Sequence, residues 1–264
     1  MDIQFHFNEI KQYKDSMDNI FSEIGTVPSH VRQSKKIILC FINRSGSNYL
    51  AELMHNTKRM GNAQEYMNEN TVQKNKNIHN LSSLAGYIAH LYKISASENN
   101  VFSIQLGMHQ LIYLLENNEK LSLFDENTYY IYINRSNSIL QSISYYKAIE
   151  TNAYTSLQKE QKTDIELNID KIIQIYFNLL KRKIMFENIF NVYDIPKHTV
   201  TYEELVKFPF QHIINILEYC NVSYLKKEIV TQTKLKKQGN NTNLIWEEKI
   251  RRELKKTLLQ NHGY

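Results

Sequence analysis

Arg44, Ser45, Gly46, Ser47 and Asn48 follow one another in the chain, with Tyr49 next. Together they offer what an anion binds. Arg44 carries a fixed charge on a forked donor that matches phosphate or sulfate. Ser45, Ser47 and Asn48 add side-chain donors, and Gly46 lets the backbone approach closely. A second run, Asn134-Arg135-Ser136-Asn137-Ser138, repeats the theme. Two separated arginines with hydroxyls nearby suit a ligand with two separated anionic groups. The first run lacks the spacing, the second Gly and the Lys of the triphosphate loop G-x-x-x-x-G-K-[ST], so its anion is not the β/γ-phosphate of ATP or GTP. An ordinary strand-to-helix turn that happens to carry Arg and Ser is the plain alternative for either run.

The elements around these runs have a clear pattern. Ile37 to Ile42 is unbroken apolar sequence before the first run, the mark of a buried strand. Tyr49, Leu50, Leu53 and Met54 then share one helical face. A strand turning tightly into a helix puts free N–H groups and the positive end of the helix dipole at one point. Tyr129–Ile133 reads as the strand before Arg135, with a helix from about Ser138. Val101–Leu106 and Lys197–Tyr202 read as two further strands, each followed by helix. Residues 1–34 read as an amphipathic helix (Phe5, Ile10, Tyr13, Met17, Ile20, Phe21) and a loop through Pro28. Residues 71–99 read as one helix, and Asn168–Ile189 as a long one. The tail reads as a basic, Asn-rich loop before an amphipathic helix, with Trp246 and Ile250 packing that helix on the core. Strands alternating with helices predict an α/β fold with a mostly parallel sheet, which binds ligands beyond the carboxyl ends of its strands.

Composition narrows the class. A chain of 264 residues with 42% apolar content fits one large domain. No run of about 18 apolar residues predicts a membrane span. The first residues lack the order of a signal peptide, so a cytoplasmic protein is expected. Cys40 falls in the first strand and Cys220 far away, and no Cys or His spacing suggests zinc. No carboxylate cluster sits near the first run, so no metal is expected. The net charge of +5 fits an anionic ligand. It does not indicate nucleic acid, because the basic residues form no long tract.

INRSGSNYLAELM resembles the 5′-phosphosulfate-binding loop of sulfotransferases, P-R-S-G-S-[ST]-x-L. AQEYM is similar to the [PE]-E-E-Y-F segment of the bacterial trehalose 2-sulfotransferase family. INRSNSILQSISYYKAIETNAY resembles that family's 3′-phosphate-binding segment. VTYEEL resembles its R-Y-E-D-L, and KKQGNNTNLIWEEKIRREL its tail and the R-K-G loop of sulfotransferases. The matches run in the family's order from about residue 35 to 255.

The resemblance implies a P-loop-NTPase-like sulfotransferase fold, as a single domain over 1–264. Residues 1–34 would be an N-terminal helical segment, and 231–264 a cofactor-covering loop and helix. It implies 3′-phosphoadenosine 5′-phosphosulfate (PAPS) as cofactor and a carbohydrate or glycolipid hydroxyl as acceptor. Arg44, Ser45, Gly46, Ser47, Asn48 and Tyr49 would hold the 5′-phosphosulfate. Arg135 and Ser144 would hold the 3′-phosphate, with Ser142 as the alternative partner for Arg135. Tyr202 would lie near the adenine, and Lys237 and Gly239 would cover the 3′-phosphate. Glu65, in the segment matching the family's carboxylate, is the candidate base, and His109 the second. The related family forms homodimers, and peripheral membrane contact is compatible with a glycolipid acceptor.

The sequence departs from the family at five places, one being that only one Arg, Arg135, precedes the second helix. Asn43 stands where Pro is usual, and Asn48 where Ser or Thr is usual. Gln105 and His109 stand where the family tends to have Lys and Trp. Three other readings stay open on sequence: another nucleotide-dependent transferase, a binding protein that kept an adenosine bisphosphate site without catalysis, and a nucleic-acid binder using the basic tail.

Overall fold

The computed structural model describes residues 4–155, 157–159, 161–162, 164–234 and 241–260. Four parallel strands form its sheet: β1 (Lys35–Phe41), β2 (Val101–Leu106), β3 (Thr128–Asn134) and β4 (Lys197–Thr201), in the order β2-β1-β3-β4. Leu39 lies opposite Gln105, Phe41 opposite Ile133, and Asn134 opposite Thr201. The carboxyl ends of the strands therefore open on one edge.

Around the sheet run twelve helices among the described residues. They are α1 (Gln4–Ile20), α2 (Ser29–Arg32), α3 (Ser47–Asn56), α4 (Glu69–His79), α5 (Leu84–Ser95), α6 (Met108–Glu116), α7 (Asn118–Leu121), α8 (Ser138–Thr151), α9 (Ile169–Val192), α10 (Tyr202–Lys207), α11 (Pro209–Tyr219) and α12 (Asn241–Gln260). None is long and apolar enough to cross a membrane.

β1 is buried on both faces, which is why its sequence is apolar without alternation. The strand period of two still sorts its side chains. Ile37, Leu39 and Phe41 join Leu50, Leu53 and Met54 of α3 and Ile213 and Leu217 of α11 in one core. Ile38 and Cys40 join the core on the other face, with Tyr13 and Met17 of α1, Leu111 of α6, Ile143 of α8 and Ile172 of α9. Leu50 is fully buried. Its truncation to Ala would cost about 2–5 kcal/mol and loosen the helix that opens at the first arginine run.

Several elements differ from the sequence expectation, among them β4, which ends at Thr201 so that Tyr202 opens α10. The stretch 71–99 is two helices, not one. Asn80 at φ +50° ends α4 in a left-handed cap, and the Ser83 hydroxyl accepts the Gly86 N–H at 3.0 Å to start α5. The apolar spacing continues across this break, which hides it. β1 ends at Phe41 rather than Ile42. Trp246 and Ile250 of α12 are buried as expected. Lys147 of α8 lies 4.6 Å over the Trp246 ring and donates to Asn243, so α12 is seated on α8.

Candidate active site

Residues Ile42–Gly46 join β1 to α3 by a turn with two left-handed residues, Arg44 at φ +63° and Gly46 at φ +90°. Only the second is a glycine. A left-handed Arg is uncommon and is held here by its neighbours. The Asn43 carbonyl accepts Gln141 Nε2 at 2.8 Å, and Ser45 N–H donates to the Ile42 carbonyl at 3.0 Å. The first helical bond of α3 is Leu50 N–H to the Gly46 carbonyl. The N–H groups of Ser47, Asn48 and Tyr49 precede it, and among the described residues no side chain caps this end. These N–H groups and the helix dipole face the turn.

Arg44 Nε donates to the Ser144 hydroxyl at 3.0 Å, and its Nη1 to the Tyr154 carbonyl. Burial and then the nearby Arg135 charge lower the Arg44 guanidinium's pKa, so the two arginines share one basin. The Tyr202 ring joins them. Arg135 Cζ sits 5.0 Å from its centroid, and a Cβ built on Gly46 would fall 2.3 Å from its Cδ2. Tyr202 thus presses on the loop itself.

Arg135 closes β3 before α8. Its Nε lies 3.5 Å from Glu203, outside hydrogen-bond geometry, and is buried without a hydrogen-bond partner. Glu203 accepts the N–H groups of Ser136 at 3.0 Å and Asn137 at 3.3 Å. Burial works against that carboxylate, but these N–H bonds hold its pKa below the usual value. Lys183 of α9 donates to the Arg135 carbonyl at 2.5 Å and to the Ser138 hydroxyl at 2.7 Å. Burial lowers the Lys183 pKa as well.

The structure brings Arg44, Ser45, Gly46, Ser47, Asn48, Tyr49, Arg135, Ser144 and Tyr202 to one edge of the sheet. Ser144 meets Arg44 rather than Arg135. Ser142 is not the alternative partner, because it is buried and donates to the Ile139 carbonyl at 2.8 Å. Lys237 and Gly239 lie outside the described residues. On the near side of that gap Lys234 N–H donates to Glu52 of α3, and on the far side Asn243 meets Lys147 of α8.

Two of the departures meet. Gln105, fully buried at the end of β2, donates to Asn48 Oδ1 at 3.2 Å and to the Ala63 carbonyl at 3.0 Å. Glu65 lies half-buried just beyond, and burial raises its pKa above the usual carboxylate value. Burial raises the pKa of the half-buried Tyr145 phenol, and the charges of Arg182, Glu9 and Glu65 also act on it. His109 opens α6, with its ring 4.6 Å from Tyr13. Burial and then the Arg182 charge push its pKa down to about 4. The two lie on a cleft of about 200 Å³ lined also by Asn68, Glu69, Asn70 and Gln110.

Sequence reasoning missed Gln141, Arg182, Lys183 and Glu203. Glu203 had a signal, since it follows Tyr202 inside VTYEEL. Gln141, in the first turn of α8, had one too, since it lies inside INRSNSILQSIS; Arg182 and Lys183 reach the turns from the middle of α9, and no local spacing points to them.

The family model described as Stf0 sulphotransferase matches residues 36–253. No curated relative matches the chain. Among solved structures, a sulfotransferase domain from the Synechococcus PCC 7002 olefin synthase shares 14% identity over 87% of this chain and 88% of its own, with a TM-score of 0.48. A sulfotransferase domain from the curacin biosynthetic pathway shares 16% over 84% and 82%, with a TM-score of 0.45. The family match alone spans all four strands, both arginine turns and the start of α12, and on it the chain belongs to the Stf0 sulfotransferases and is a sulfotransferase.

Proposed function

We propose that this sulfotransferase draws its sulfuryl group from PAPS and passes it to a hydroxyl of a carbohydrate or glycolipid, with Glu65 as the base. The observation that carries the cofactor is the Tyr202 ring. One arginine turn lies against it at Gly46 and the other stacks on it through Arg135. That spacing suits a ligand with two anionic groups on one nucleoside. The residues fit such a ligand on three counts. The Ser45 hydroxyl and Arg135 Nε are buried without a hydrogen-bond partner. A side chain at position 46 would run into the Tyr202 ring, so glycine is what lets that ring stand over the turn. The α3 N–H groups have no side-chain cap.

PAPS, when bound, supplies an activated sulfuryl group and a phosphate leaving group. The protein's part is then positioning and charge. The N–H groups of Ser47, Asn48 and Tyr49, with Arg44, neutralise charge on the departing 5′-phosphate oxygen. Arg135 would orient the 3′-phosphate, while Ser144 seats the Arg44 guanidinium. Glu65 would take the proton of the acceptor hydroxyl as that oxygen bonds to the sulfuryl group and the phosphate leaves. Its raised pKa strengthens it as a base, whereas His109, held near 4, is a weak one. The polar cleft with the Tyr13 and His109 rings supports a polyhydroxylated acceptor.

The test is thermal unfolding with adenosine 3′,5′-bisphosphate. At a hundred times the dissociation constant it should stabilise the fold by about 2.7 kcal/mol. ATP and 5′-AMP should give less. No shift at millimolar nucleotide would end the PAPS reading. Glu65→Gln should cut turnover by about 10²–10⁴-fold with nucleotide binding intact. Unchanged turnover would remove Glu65 from the role.

A further inference from the structure

Asn43 is the second residue of the turn Ile42–Gly46, and two helices grip it. Gln141 of α8 donates to its carbonyl at 2.8 Å. Arg182 of α9 donates from Nη1 to its Oδ1 at 3.1 Å. The other end of the same guanidinium, Nη2, donates to Glu9 of α1 at 2.7 Å in an ion pair. Both partners of that pair are about three-quarters buried, at 22% and 26% side-chain exposure, so solvent does not dissolve the geometry. The next residue is Arg44 in its left-handed conformation, which an L side chain adopts only when its surroundings enforce it.

We infer that Arg182 is a positioning residue of the transfer site: by holding Asn43 through Oδ1, it sets the left-handed turn at Arg44 and so aims both the Arg44 guanidinium and the α3 N–H groups. The inference rests on reading Ile42–Tyr49 as the anion cradle. Asn43 lacks the ring that fixes a proline's φ, so the Arg182 bond to its side chain adds to the Gln141 bond to its carbonyl in holding its orientation. Glu9 holds Arg182 from behind, which ties the N-terminal helix to the cradle. After burial, the Arg182 charge also acts on the His109 and Tyr145 side chains.

The experiment compares wild type, Arg182→Met, Asn43→Ala, their double variant and Glu9→Gln. Two measurements are made on each. One is the dissociation constant for adenosine 3′,5′-bisphosphate by calorimetry. The other is amide hydrogen exchange of the peptide covering 42–50 without nucleotide. Arg182→Met and Asn43→Ala should each weaken binding about tenfold, the scale of one lost bond to a charged group. Each should speed exchange in 42–50 and leave the β3 and α11 peptides unchanged. The double variant should be no worse than the worse single one, because both remove one contact. Glu9→Gln should do less.

Additive losses in the double variant would overturn the inference, as would wild-type binding and exchange in Arg182→Met. So would a full effect in Glu9→Gln with none in Asn43→Ala, which would leave Arg182 as a brace between α1 and α9. Asn43→Ala keeps that ion pair, so it decides the matter if Arg182→Met does not fold. If wild type binds no nucleotide, the proposed function fails, and the exchange data still decide the clamp.

Discussion

The two arginine turns look alike in sequence and differ in one respect that governs what each can bind. At the turn after β1, the α3 N–H groups have no side-chain cap among the described residues. At the turn after β3, most of the N–H groups leading into α8 already have partners within the protein, and Ser138 N–H donates to the Ser136 carbonyl at 3.1 Å. Glu203 accepts Ser136 and Asn137, and the Asn137 side chain accepts Leu140 N–H at 2.9 Å. An anion from the protein itself occupies the second helix start. Strand end, arginine and helix start are thus not enough to define an anion cradle. The first turn offers backbone and side chain together, and the second offers the Arg135 guanidinium held over Tyr202.

The comparison breaks most directly at Gly46. Gly46→Ala puts a Cβ 2.3 Å from Tyr202 Cδ2 at a φ of +90°, so ring and backbone must both move. Nucleotide affinity should fall by about a hundredfold or more, the sum of a lost cradle geometry and about 1–3 kcal/mol of backbone strain. Calorimetry with adenosine 3′,5′-bisphosphate reads it. Near-normal affinity would mean that the first turn is not the cradle.

Arg135→Ala sharpens the same contrast. This turn contributes a side chain only, so the loss should be confined to the group that side chain meets. Affinity for adenosine 3′,5′-bisphosphate should drop by about 10- to 100-fold, and affinity for 5′-AMP should hardly change. An equal loss for both nucleotides would show that Arg135 acts on the shared 5′-phosphate instead.

The sequence made β1 legible because that strand is buried on both faces and reads as an unbroken apolar run, whereas the edge strand β4, KHTVT, is only partly buried. It made both arginine turns legible because residue type at a strand end is a local signal. It hid the break at Asn80–Ser83, since Leu81, Leu84, Ile88 and Leu91 keep helical spacing across it. It also hid the pairing within the site. The distance in sequence from Arg135 to Ser144 tells which turn of α8 carries the hydroxyl, but not which of two arginines reaches it. Arg44 does, from the neighbouring strand. The contacts of Arg182 and Lys183 were out of reach for the same reason, because they depend on how α9 crosses the carboxyl ends of the strands.

The finest distinction between the turns is electrostatic, and Glu203 tests it. Its folded-state pKa is depressed by the Ser136 and Asn137 N–H bonds working against burial. A depressed carboxylate stabilises the fold above its unfolded value, and that contribution is lost as the pH falls through the folded value. Glu203→Gln should therefore destabilise at neutral pH and approach wild type in acid. Solvent reaches 35% of the side chain and screens it, so the neutral-pH loss belongs at the low end of a cap, about 0.5 kcal/mol. Thermal unfolding of both proteins across the acid range measures it. Removing the resident anion should also leave the Arg135 side of the basin more positive. Nucleotide binding should then become more salt-sensitive in the variant, even where its affinity at low salt is kept. A pH-independent gap with unchanged salt dependence would show that Glu203 serves by shape alone, and the two helix starts would then differ in geometry rather than in charge.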